Sequence, residues 1–141
     1  HIMLQSDYLV RMFTELATAI RESILRARGE DDPDGAAVML EAAFSEATEM
    51  DGSMLLTLAP ESMVSMMQIS GTDPALVGYL SRTLLLESRY LQDAHNSDLS
   101  TLRHDQAHAL AQAYGFSLSD ESVSPEELET FFESSDQGHE Q

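Results

Sequence analysis

Asp73-Pro74-Ala75-Leu76-Val77-Gly78-Tyr79-Leu80-Ser81-Arg82-Thr83-Leu84-Leu85-Leu86-Glu87-Ser88-Arg89-Tyr90-Leu91 is the stretch that decides the fold. Asp73 is placed to cap a helix, and Pro74 to fill its first position, where a missing N–H costs nothing. Leu76, Tyr79, Thr83, Leu86 and Tyr90 recur at three- and four-residue steps and form one stripe. Val77, Leu80, Leu84 and Leu91 form a second. A helix that is apolar on two sides packs centrally, with neighbours on both flanks. The spacing predicts a helix over about 74–94 at the centre of an all-α antiparallel bundle. Arg82 and Arg89 fall on its polar edge. Planar guanidinium forks there suit salt bridges with an acidic surface or, in a second reading, a small bound anion.

Working towards the N-terminus, Ala59-Pro60-Glu61-Ser62 opens a helix that Met63, Val64, Met66, Met67 and Ile69 make apolar almost all round. Ser70-Gly71-Thr72 closes it. Met54-Leu55-Leu56-Thr57-Leu58 has room for a single helical turn. A helix over about 36–49 buries Val38, Met39, Ala42, Ala43 and Phe44. The first helix is predicted from Ser6 to Arg28, capped by Ser6 or Asp7 and ended by Gly29. At 1.5 Å per residue it is about 34 Å long. Its single stripe is Leu9, Met12, Phe13, Leu16, Ile20 and Ile24. Such a stripe packs along its own bundle or against a second copy. Leu9, Phe13, Leu16 and Ile20 are therefore the candidate contacts of a homodimer.

Towards the C-terminus, His95–Ser97 is a turn, and a helix over about 98–114 turns Leu99, Leu102, Leu110, Ala113 and Tyr114 inward before Gly115 stops it. Residues 3–115 thus read as one helical domain of five to six helices. Residues 116–141 read as an acidic tail with eight acids and no base. Ser124-Pro125-Glu126-Glu127 has the pattern of a capping box and starts a short helix near 125–133, whose Leu128, Phe131 and Phe132 dock on this chain or on a neighbour. His1-Ile2, ahead of Met3, reads as an expression-vector scar outside the fold.

Charge is distributed unevenly. The chain of 141 residues has 25 acids against seven basic residues, all Arg, for a net charge of −18. Four Arg lie in the first 28 residues beside three acids, so that segment is near neutral and the rest is strongly acidic. Nucleic acid and anionic membrane surfaces demand a cationic face, and neither fits as a partner. A basic protein or peptide does. With no Cys, disulfides, thiolate metal sites and cysteine catalysis are excluded together. No apolar run approaches the ~18–20 residues of a membrane span, and no leader pattern opens the chain, so a cytoplasmic location is expected. The lack of Lys reads as the codon bias of a GC-rich genome rather than as halophily.

Chemistry-bearing patterns are few. His104-Asp105-Gln106-Ala107-His108 puts two His four apart on one helical face, the spacing of a zinc chelate. Metalloprotease helices carry Glu after the first His, where this chain has Asp105. A third ligand has no characteristic place, though His95 is the nearest His in sequence. The inward stripe also points away from His104 and His108, so a solvated polar face is expected. Glu30-Asp31-Asp32-Pro33-Asp34-Gly35 lacks the spacing of a calcium loop and reads as a solvated acidic turn. There is no nucleophile elbow and no phosphate loop. No cofactor is expected.

In order along the chain, Asp7-Tyr8-Leu9-Val10-Arg11-Met12, then Met39-Leu40-Glu41 with Leu55-Leu56-Thr57-Leu58-Ala59-Pro60-Glu61-Ser62-Met63, then Leu84-Leu85-Leu86-Glu87-Ser88-Arg89-Tyr90 resemble a bacterial family of small tetratricopeptide-repeat-like helical proteins with no assigned activity. The resemblance covers residues 4–115 and implies antiparallel helix pairs stacked as a short solenoid. The chain departs from true repeats: it has no Trp and no 34-residue self-similarity. The sum is a non-catalytic interaction or scaffold module. The rival readings are a metal-binding protein or hydrolase using His104 and His108, and a small-molecule binder. The latter would grip an anion with Arg82 and Arg89 over a pocket lined by Met63, Met67 and Leu86.

Overall fold

Helix α5, Pro74–Asp93, is the axis of the molecule. The Asp73 carboxylate accepts a 2.8 Å hydrogen bond from the Ala75 N–H, which is the predicted cap. From Leu76 to Leu91 every residue is buried except half-buried Arg82 and exposed Arg89. Only surrounding helices can cover a helix so completely. The computed structural model describes residues 2–48 and 50–140, with side chains over 7–48 and 50–135. All described secondary structure is helical, as the sequence predicts.

The helices α1 (Ile2–Ile24), α2 (Pro33–Ala47) and α6 (Ser97–Tyr114) pack around α5, and α4 (Pro60–Ser70) packs on α6. The α6 helix turns back on α5 through His95, which takes a left-handed conformation at φ 65°. Gly71 and Gly115 end α4 and α6 in that same conformation, at φ 73° and 78°. Seven α-helices are present among the described residues rather than five or six. The addition is α3, a single turn at Gly52–Leu55, capped by Asp51 through the Ser53 and Met54 N–H groups. A 3₁₀ turn at Asp120–Val123 precedes α7, Pro125–Glu140.

The helix ends differ from the expected ones where local polar bonds decide them. The α1 helix begins at Ile2 rather than at Ser6 or Asp7, and passes at Leu25–Gly29 into a wider π-helical turn. The α2 helix starts at Pro33, three residues before the predicted Ala36. Asp32 accepts from the Gly35 N–H at 3.0 Å and pairs with Arg26 at 2.9 Å. The Gly35 N–H first, and Arg26 second, hold the Asp32 carboxyl below its ordinary range. The acidic turn is thus partly a helix cap. The α2 helix ends at Ala47, and Glu49, its expected last residue, lies outside the described residues, as does His1 of the expected scar.

The α7 helix runs beyond the predicted 125–133. Ser124 Oγ accepts from the Glu127 N–H at 3.2 Å, as its cap position predicts. The helix docks on its own chain. Tyr79 lies between Phe13 and Phe132 in a near-parallel stack, with centroids at 4.6 and 5.8 Å and interplanar angles of 6° and 8°. Phe131 meets Tyr79 edge-on at 4.8 Å. Arg21 clamps Glu129 with bonds of 2.7 and 2.8 Å, tying α7 to α1.

One close approach depends on a glycine. A Cβ on Gly52 would lie 2.4 Å from the Ser45 Cα, where backbone cannot yield cheaply. Gly52→Ala is therefore expected to destabilise the fold by about 1–3 kcal/mol, the range of an overpacked core. Urea unfolding at fixed pH measures it.

Candidate functional site

The strongest candidate for a functional surface arises from α4. Its sequence is apolar nearly all round, but α6 covers only one side of it. Met63 and Met67 are fully enclosed there. On the open side Met66 is 36% exposed and Ile69 81%, and α3 presents Met54 at 50%. Met54, Leu58, Met66, Glu61, Ser62 and Ser65 line a shallow groove of about 390 Å³, and exposed Ile69 lies outside that lining, one helical turn beyond Met66 in sequence. Methionine is unbranched and polarizable, so such a groove adapts to its occupant. One of its lining residues, Glu61, is acidic, and the segment 29–81 that supplies the groove contains ten acids and no basic residue.

Beneath the groove lies a polar cluster. The chain between α3 and α4 exposes the Leu56 and Leu58 carbonyls to the core. Arg103 Nη1 donates to Leu56 O at 2.7 Å. Gln106 Nε2 donates to Leu56 O at 3.1 Å and to Leu58 O at 2.8 Å. Arg103 also donates from Nε to Glu87 at 2.9 Å, from Nη2 to Glu41 at 3.1 Å, and from Nη1 to Gln106 Oε1 at 3.2 Å. Four structural segments therefore meet at one guanidinium: α2, the α3–α4 connection, α5 and α6. Arg103 is 4% exposed and Glu87 is fully buried. Burial and hydrogen bonding with Glu41 push the Glu87 carboxyl up to about 9, against the pull of Arg103. Glu87 Oε1 accepts from no described donor. Burial thus favours the protonated form of Glu87, with Glu41 as the neighbour that supports it.

The α6 stripe is rotated from the predicted one. Ala113 is exposed and Leu99 and Leu102 are half-buried, while Arg103, Gln106, Ala107, Leu110 and Ala111 are buried. The polar pair at 103 and 106 replaces leucines on the inner face because it satisfies backbone carbonyls there. His104 is exposed and His108 half-buried, with ring centroids 4.4 Å apart. Burial, then the neighbouring His104, lowers the His108 pKa, partly offset by Asp120 and Asp105. His104 Nδ1 lies 3.2 Å from Asp105 Oδ1. His95 is exposed in its turn. No group of three metal-ligating side chains occurs among the described residues.

The two candidate anion contacts are separated. Arg82 Nη1 donates to Gly78 O at 2.9 Å, and its guanidinium lies over Phe131 at 3.8 Å and near Phe116 at 5.7 Å. Burial lowers its pKa. Arg89 is exposed, with Asp120 at 3.9 Å. Met63 and Met67 are core rather than pocket wall. Of the candidate dimer contacts, Phe13, Leu16, Ile20 and Phe132 are buried within this chain, and Leu9 and Phe131 are half-buried against the same core.

No described helix is long and apolar enough to cross a membrane. The chain matches no protein-family model, no curated protein and no solved structure.

Proposed function

We propose that this chain is a non-catalytic, cytoplasmic protein–protein interaction module whose α3–α4 groove receives a basic amphipathic helix of a partner protein. The single observation that carries the reading is the groove itself. It is apolar, methionine-rich and open, in a segment of ten acids and no base. An amphipathic helix lays its apolar side into such a groove, and cationic flanks suit Glu61 at its wall and the acidic segment around it. The clamp of Arg103 and Gln106 on Leu56 and Leu58 supports it by fixing the floor before a partner arrives, which lowers the ordering cost of binding. The pairing of α1 with α2 and of α5 with α6 is consistent with repeat-like hairpin stacking, the finer part of the same reading.

The test uses an amphipathic Leu/Lys peptide of ~18 residues, long enough for about five helical turns. Fluorescence anisotropy is expected to give micromolar binding that weakens with salt. In the Met54→Asp/Met66→Asp double variant binding falls by about tenfold or more, because both changes lie on exposed positions of the groove. Equal binding of the double variant would remove the groove from the proposal. Equal binding of a Leu/Glu peptide would remove the basic partner. Light scattering on the same samples adds a third outcome: a dimer that the double variant dissolves would make a second copy the occupant and overturn the hetero-partner.

A further inference from the structure

Most of the arginines on the described side chains are committed. Arg21, Arg26 and Arg103 are hydrogen-bonded to carboxylates, and Arg82 is stacked on Phe131. Besides exposed Arg11, the two residues Arg28 and Arg89 hydrogen-bond to no described residue, although the protein carries 25 acids. Arg28 and Arg89 both line one cavity of about 390 Å³, between the π-helical end of α1, the C-terminal half of α5 and the start of α7. That volume is within the range of small-ligand sites. A second cavity of about 330 Å³ adjoins it and shares Arg89 and Asp120. The 3.9 Å separation of that pair, both members exposed, is too long for a hydrogen bond and contributes little.

The lining has three characters. Arg28 and Arg89 supply cationic forks. Asp31, Asp93 and Asp120 supply carboxylates. Ile24, Leu86 and Val123 are among the apolar wall residues. Tyr90 lines the same cavity, and burial raises the pKa of its hydroxyl, which lies 3.4 Å from Ser23 Oγ. A simple anion would face three carboxylates, and a simple cation would face two guanidiniums. A ligand carrying both charges meets an opposite partner for each. We propose that this cavity binds a small zwitterion with an apolar side chain, of the α-amino-acid type, its carboxylate on Arg28 and Arg89 and its ammonium on the aspartates. The site is separate from the α3–α4 groove and does not depend on it.

The probe is L-leucine, followed by amide chemical shifts of the full chain up to about 10 mM, the weak end of specific binding. Saturable shifts are expected at Ala27, Leu86 and Tyr90. 4-Methylpentanoate lacks the amine and 3-methylbutylamine lacks the carboxylate, and each should bind at least about tenfold more weakly, as loss of a charge-assisted contact implies. Arg28→Gln and Arg89→Gln should each weaken leucine by a similar factor. Their thermal melts should stay within a few degrees of the parent, because neither side chain is hydrogen-bonded in the fold. Absence of shifts at those amides overturns the proposal. So does equal binding of the amine alone, or unchanged binding in both variants.

Discussion

Arg103→Met is expected to cost about 3 kcal/mol or more, because it strips one charged donor from several buried acceptors at once and takes the counter-charge from Glu41. The melting temperature should fall by roughly 10–15 °C for a chain of this size. The guanidinium donates to Glu87, Glu41, Gln106 and Leu56 at once, and methionine leaves all four acceptors without it. Arg103→Lys should recover only a minor part, since one ammonium cannot reproduce a planar fork. Glu87→Gln is the contrasting change. Its carbonyl can still accept from Arg103, and its side chain is neutral, as protonated Glu87 is. It should be close to neutral at pH 7.

The pH dependence then has a definite sign. Glu87 titrates near 9 when folded and near its ordinary 4.5 when unfolded. Between those values the folded chain holds a proton that the unfolded chain releases, so stability falls as pH rises, by up to about 1.4 kcal/mol per unit. The contribution is full below 4.5 and is lost on passing 9. The depressed His108 acts oppositely, but only up to its ordinary 6.5. The window from pH 7 to 9 therefore isolates Glu87. Urea unfolding should show wild-type stability declining across it and the Glu87→Gln curve flatter. A wild type whose stability is level from pH 7 to 9 would mean that Glu87 is ionised in the fold.

These residues also mark where the sequence stopped being legible. The α5 helix could be placed because its two stripes, its Asp73-Pro74 start and its run of leucines agree. The Glu87 position was readable in principle: a carboxylate among Leu84, Leu85, Leu86 and Leu91 on a helix covered all round has no water and needs a partner. The identity of that partner was not readable. Arg103 and Gln106 are polar residue types, and an inward stripe drawn through Leu99, Leu102, Leu110 and Ala113 leaves both out, whereas the buried side of α6 carries them. Their inward direction is set by the Leu56 and Leu58 carbonyls, nearly fifty residues away, which no local pattern reveals. The groove was half legible for a related reason. Apolarity around α4 was evident, but which side α6 would leave open depended on which side of α6 turns inward.

The last large effect is in the tail. Phe132→Ala is expected to cost about 3–5 kcal/mol, as for other fully buried aromatics. Phe132 is 3% exposed and closes the stack on Tyr79 and Phe13, with Arg21 5.0 Å from its ring centre. Phe131→Ala should cost less, about 1–2 kcal/mol, because its ring is half-buried and its contacts are the edge of Tyr79 and the cation of Arg82. A chain ending at Gly115 loses Val123, Leu128 and Phe132 together, all buried, and uncovers Tyr79 and Phe13. That newly open apolar surface should make the shortened chain associate, so light scattering should report a rise in mass on truncation. This is the reverse of what tail-anchored dimerisation would give. A truncated chain that stays monomeric with an unchanged melt would show that α7 does not belong to the core. A full-length dimer that truncation splits into folded monomers would return Phe131 and Phe132 to the role of intermolecular anchors.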